Sequence, residues 1–185
     1  MLGKVDEAPL ARTETGGLLP DGAGWFIVNV AEASAVHTER LGDVVTFEGG
    51  QRFPEFGVNL RVLRPGQPNA LYHREDAQEA FLVVKGECLA VVEGQERMLR
   101  TGDFFFSPAG TAHVLVGAGA GPCVVLMVGT RKDSRTFLYP ASEVAARHGA
   151  SVERDTDSQE EAYASSPGWA EARRSATRTT LGPIL

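Results

Sequence analysis

Two of the four histidines, His73 and His113, fall between Gly66 and Gly117, and two glutamates, Glu75 and Glu79, follow the first of them closely. Imidazoles and carboxylates hold divalent metals and move protons, so chemistry is expected here if these side chains converge. In an extended chain the side chains alternate with period two, and positions 73, 75 and 79 share one parity, so all three can face one interior. A turn between them would break that parity, and YHREDAQE taken alone also reads as a solvated loop. The second histidine closes the segment GDFFFSPAGTAH, from Gly102 to His113, where it follows a Pro/Gly turn between apolar strands. A histidine so placed needs a partner.

The elements that must position these residues are short strands. From Trp25 to about Val128, apolar runs alternate with turn residues: WFIVNV, VVTFEGG, FGVNLRVLRPG, EAFLVVKG, ECLAVVEG, DFFFSPAG, HVLVGAG and PCVVLMVG. Many short strands at such spacing predict a sandwich or a closed barrel. The KG at 85–86 and the EG at 93–94 read as hairpin turns, which makes the sheet antiparallel. The run from Ala80 to Val84 is apolar on both faces, so one side faces the barrel and the other needs cover from a second sheet or a partner subunit. A homodimer is expected on that ground.

Residues 1–22, rich in Gly, Pro and charge, read as a flexible N-terminal arm, and 23–130 as the barrel. Residues 131–185 read as a helical and extended tail packing on it. Within that tail Pro140 and Gly149 bracket ASEVAARH as a short helix. Asp157 with Glu160 resembles a capping box ahead of EEAYA, and Ser166 followed by Pro167 can start GWAEARRSA.

A chain of 185 residues with 43% hydrophobic and 23% charged residues suits one soluble core with tails. Its net charge of −6 and the lack of a Lys/Arg stripe argue against nucleic acid. There is no apolar run of signal-peptide length and none long enough to span a bilayer, so no membrane partner is expected and the cytoplasm is the default location. Cys88 and Cys123 form no CxxC pair and sit in apolar runs, as buried small hydrophobes do.

The two segments resemble the motifs of the cupin superfamily, G-x5-H-x-H-x3,4-E-x6-G and G-x5-P-x-G-x2-H-x3-N. The second matches at Gly102, Pro108, Gly110 and His113, with Gly117 where the motif has Asn. The first matches at His73, Glu79 and Gly86, with Glu75 in place of the second histidine and one extra residue after Gly66. The resemblance implies an all-β fold, a double-stranded β-helix or jelly-roll-like barrel, to which the tail read above adds short C-terminal helices. It also implies one divalent metal inside the barrel on His73, Glu75, Glu79 and His113.

Should Glu75 bind, two carboxylates would cancel the charge of the ion, acidify bound water less than a three-histidine zinc site does, and make hydrolysis less attractive. Mixed nitrogen and oxygen donors favour Fe or Mn, with Zn or Ni also able to bind. The expectation is a metal-dependent oxidoreductase of the oxygenase type, acting on a small organic molecule in the barrel. A metal-dependent isomerase or epimerase and a non-catalytic binding cupin are the alternatives. No catalytic residue and no organic cofactor is assigned. Tyr72 and Gln78 are candidate supports for the ligands, and His37 and His148 read as surface histidines. Sulfur-oxidising cupins can carry a cysteine beside iron, but their last acid of the first motif is typically absent, and Glu79 sets that role aside for Cys88. In FGVNLRVL, Asn59 and Arg61 share one face, expected to meet solvent; turned inward, Arg61 would favour a carboxylate-bearing substrate.

Overall fold

In the computed structural model, which describes residues 3–14, 16–38 and 40–164, the β-rich runs pair as antiparallel ladders. In chain order the strands are β1 (Leu10–Arg12), β2 (Leu18–Pro20), β3 (Ala35–Thr38), β4 (Gly42–Thr46), β5 (Phe56–Leu63), β6 (Arg74–Glu75) and β7 (Glu79–Lys85). They continue as β8 (Glu87–Val92), β9 (Gln95–Arg100), β10 (Phe104–Ser107), β11 (His113–Ala118), β12 (Cys123–Thr130) and β13 (Phe137–Leu138), followed by the helices α1 (Glu143–Ala146) and α2 (Gln159–Ala164). The expected helix from Ser166 lies outside the described residues.

The larger sheet has the order β10-β7-β12-β5-β4-β3, and the smaller one β11-β8-β9. Single bridges from Pro68 to Val116 and from His73 to His113 extend the smaller layer to the chain entering β6, which pairs with β13. Period-two alternation sends one face of each sheet inward, and Leu63, Phe81, Val83, Leu115 and Val125 meet there with both cysteines, fully buried. The fold is therefore the all-β, jelly-roll type with short helices.

Three local expectations are corrected. Lys85-Gly86 is not a hairpin turn, because β7 pairs with β10 and β12 while β8 pairs with β9 and β11, so the chain changes sheets there. Glu93-Gly94 is the hairpin: both residues have positive φ, 47° and 71°, between Val92 and Gln95. The WFIVNV run forms no strand beyond a bridge from Trp25 to Glu7. Its alternation is nonetheless used, since Val28 and Val30 cover the outer face of the larger sheet while Ile27 points away. Residues 10–20, within the expected arm, form the β1–β2 hairpin, and Leu18 exchanges backbone hydrogen bonds with Glu32 and Ser34.

In the tail, α1 is a single turn capped by Ser142, whose hydroxyl accepts from the Ala145 N–H. Its Ala145, with Ala150, packs on Tyr72, Val91 and Val114, the outer face of the smaller sheet. For α2 the N-cap is Ser158, one residue later than expected, and the box is closed through Thr156, whose hydroxyl accepts from the Ser158 N–H. Ser158 Oγ accepts from Glu161 N–H, and the Glu161 carboxylate takes the Thr156 hydroxyl. Ala162 and Tyr163 of α2 then pack against Leu41, Leu71 and Tyr139.

Gly117, the departure from the second motif, has a structural reason. A Cβ there would lie 2.2 Å from the Arg64 carbonyl oxygen, because Gly117 and the turn at 64–67 exchange backbone hydrogen bonds with Gly66 and Gln67. Gly117→Ala is expected to destabilise by about 2–4 kcal/mol, since backbone and not a mobile side chain must yield. Chemical denaturation measures it. A loss below about 0.5 kcal/mol would mean that the turn adapts freely.

Candidate metal centre

The centre begins with a backbone exchange. His73 N–H donates to the His113 carbonyl at 3.2 Å and His113 N–H to the His73 carbonyl at 2.9 Å, which fixes residues forty positions apart as direct cross-strand neighbours. Their rings lie 5.2 Å apart. Glu79 enters from the first position of β7 in the opposite sheet, with Oε2 3.1 Å from His113 Nε2. One nitrogen from each histidine and one Glu79 oxygen lie within 4.8 Å of one another.

Both imidazoles are anchored at Nδ1, His73 on the Leu71 carbonyl at 2.7 Å and His113 on the Thr111 carbonyl at 3.0 Å, with Ser107 Oγ at 3.2 Å from the latter. Carbonyls accept only, so Nδ1 carries the proton and Nε2 keeps its lone pair for a metal. Close as they are, Glu79 Oε2 and His113 Nε2 are not aligned as a hydrogen bond, and both are buried without another protein partner. Buried polar atoms left so are uncommon, and a cation between them would satisfy both. The donor set fits a divalent ion.

Burial pushes the His73 pKa down to about 4, helped by the neighbouring His113, so His73 is neutral and ready to ligate. At His113 burial also lowers the pKa, but the Glu79 carboxylate outweighs it and the net shift is upward. Burial would raise Glu79; the imidazole of His113 3.1 Å away prevails and holds it below its ordinary value.

Glu75 is brought close but not into this group. Its Oε1 is 2.5 Å from Arg135 Nη2, and the side chain is almost wholly buried. Burial first, and then Glu79, push its pKa up to about 7 against the pull of Arg135. Parity does not decide the matter. Glu75 follows His73 in alternation but is drawn to Arg135. Glu79 joins the histidines from the opposite sheet after residues 76–78 turn the chain into β7, where Asp76 accepts from the Thr136 N–H. The two supports expected from sequence do not reach the site. Tyr72 lies on the outer face, with its hydroxyl accepting from Gly94 N–H, and Gln78 is exposed. His37 and His148 are paired elsewhere, with Asp43 and Glu96. Cys88 stays in the core outside the cluster.

Sequence reasoning missed the surrounding wall. Phe137 and Tyr139 bring rings to 6.2 and 5.8 Å from His73, and Phe81 and Phe105 to 5.2 and 5.8 Å from His113. Arg135, beside Phe137, has its guanidinium carbon 5.3 Å from that ring. Asn59 and Arg61 reverse their expected direction. They pair with Met127 and Val125, whose side chains lie between the sheets, so both face the interior.

Residues 59–129 match the family model described as Cupin domain. Among solved structures, a sugar phosphate isomerase from a cupin superfamily, from Silicibacter pomeroyi, is 25% identical with a TM-score of 0.53, over 60% of this chain and 79% of that one. A provisionally assigned sugar phosphate isomerase from Acidithiobacillus ferrooxidans is 28% identical with a TM-score of 0.44, over 48% of this chain and 56% of that one. The chain thus spans little more than half the length of the latter. A cupin 2 domain-containing protein from Halorhodospira halophila is 21% identical with a TM-score of 0.47, over 65% and 90% of the two chains. The comparison with curated proteins found no match.

The geometry separates the two carboxylates. Glu79→Gln is expected to weaken metal binding about 100-fold, and Glu75→Gln by no more than about 3-fold, because only Glu79 shares a ligand position with both histidines. Calorimetric titration with Mn²⁺ or Fe²⁺ under nitrogen checks this. Equal losses in the two variants would return Glu75 to the ligand set.

Proposed function

The chain belongs to the cupin superfamily, and from that premise we propose that it is a metal-dependent enzyme acting on a small organic molecule within its barrel. His73, Glu79 and His113 would hold one divalent ion. The convergence of their three ligand atoms within 4.8 Å carries this reading. Two imidazoles and one carboxylate are the donors that non-haem iron oxygenases use, which supports an oxygenase-type oxidoreductase with Fe or Mn, although Zn or Ni could take the same donors. When bound, the ion supplies Lewis acidity or one-electron chemistry. The chain's own part is to fix both imidazoles through Leu71 and Thr111, to hold Glu75 on Arg135, and to keep water away with the rings of Phe81, Phe105, Phe137 and Tyr139.

A second reading, a metal-dependent isomerase, draws on two observations. Glu75 is a buried carboxyl beside the cluster and not part of it, placed where it could move a proton. The Silicibacter protein bears the name sugar phosphate isomerase. Oxygen uptake by Fe²⁺-loaded protein, measured beside deuterium incorporation into the same small acids and sugar phosphates, separates the two. Uptake that is lost in His73→Ala and His113→Ala supports the oxygenase; exchange without uptake supports the isomerase. Close to one metal per chain is expected in the parent, falling below about a tenth in either histidine variant. Full occupancy in both variants would end the metal reading.

The partner is a second copy of this chain. On the outer face of the larger sheet, β3 to β12 are covered by residues 28–35, whereas at the edge Val84, Phe104 and Phe106 are 37%, 64% and 50% exposed. Apolar residues on an unpaired edge strand call for cover. Sedimentation at micromolar concentration should give twice the chain mass, and Phe104→Glu with Phe106→Glu should halve it. A monomeric parent contradicts this and leaves the metal site untouched.

A further inference from the structure

Arg61 is a cation that the metal centre does not use. It stands on β5 opposite Val125 of β12, itself opposite Val83 of β7, and both valines lie between the sheets. Its Nε is buried without an acceptor, and its hydrogen bonding among the described residues is a long contact of 3.5 Å from Nη1 to the Leu41 carbonyl. No carboxylate among the described residues forms an ion pair with it. The residue keeps some accessible surface while Nε has none, as at the wall of an interior space. Burial lowers its pKa to about 10, which leaves it charged at neutral pH.

Asn59, two residues earlier on the same face, has a buried Oδ1 without a partner. Asn59 shares its row of the sheet with Met127 and Phe81, and the next row toward the metal centre is Gly57, Gly129 and Glu79, in which only Glu79 carries a side chain. Glu79 lies two strand spacings across the sheet, roughly 10 Å, and two residues along it from Asn59 and four from Arg61, roughly 7 and 13 Å, and the long side chains reach inward from both strands to shorten that span. On the other side, Leu41 packs with Leu71, whose carbonyl orients His73. A molecule of a few carbons spans this gap. Buried charges are ordinarily paired, and a guanidinium is suited to grip carboxylate or phosphate oxygens.

We infer that Arg61, with the Asn59 amide beside it, receives the anionic group of the small molecule whose other end meets His73, Glu79 and His113. The inference rests on the proposed metal centre for that other end only. The anion is a carboxylate or a phosphate, and both are tested.

Thermal unfolding of metal-loaded protein is followed in 10 mM inorganic phosphate, 10 mM succinate and chloride of matched ionic strength. One or both anions should raise the parent's midpoint by about 2–4 °C over chloride, and the responding anion names the group. The rise should vanish in Arg61→Met and persist in part in Arg61→Lys, with metal content unchanged. Arg61→Met should itself melt above the parent in chloride, because an unpaired buried charge has been removed. Should it not fold, Arg61→Gln and Asn59→Leu carry the comparison, each expected to halve the rise or more. No rise in the parent with either anion, or equal rises in the parent and the Arg61 variants, overturns the inference. A parent that holds no metal yet responds through Arg61 sinks the metal reading alone.

Discussion

The two backbone hydrogen bonds exchanged between His73 and His113 are the constraint on which the site depends. They tie together segments forty residues apart and leave the two imidazoles side by side, 5.2 Å between ring centres. Everything nearby serves that pairing. Gly110 donates to the Glu75 carbonyl, the 64–67 turn binds Gly117, and Asn69 accepts from Leu115 N–H, so the chain before β6 is held along the whole length of β11. With one wall so fixed, a carboxylate on the facing sheet completes the donor set, and Glu79 at the start of β7 does so.

The second constraint is electrostatic. Three ionisable groups face one another in a largely apolar interior, where charge is stabilised only by a partner. His73 answers by staying neutral, while the nearness of Glu79 shifts His113 upward and that of His113 shifts Glu79 downward. Glu75, which would add a second negative charge, is held on Arg135 instead. A divalent ion held by His73, Glu79 and His113 would thereby keep a net positive charge, which it would lose on the four ligands that motif position suggests. The same interior holds Arg61 opposite Val125, a cation two strands from Glu79.

The strand content, the antiparallel pairing and the two segments bearing His73, Glu79 and His113 were legible in the sequence, because period-two alternation and Pro/Gly turns are local signals. What depends on distant partners was not. Glu75 follows the parity of His73, but its partner Arg135 lies 60 residues away, in a segment with no periodic pattern. Tyr139 and Phe137 enter the site from that same tail. Asn59 and Arg61 look like the solvent face of β5, since a polar pair alternating with valine and leucine reads so in a one-sided sheet. Here the outer face is itself covered by residues 28–35, so both faces are enclosed and polarity no longer tells them apart. Lys85-Gly86 misleads for a related reason, since a turn between two strands of one sheet and a crossing between two sheets share the same residues.

The most direct test is anomalous diffraction from crystals of the Mn²⁺- or Fe²⁺-loaded protein. The account predicts one peak among His73 Nε2, His113 Nε2 and a Glu79 carboxylate oxygen, with Glu75 still on Arg135. A peak bonded to Glu75, or no peak between the two histidines, would contradict it.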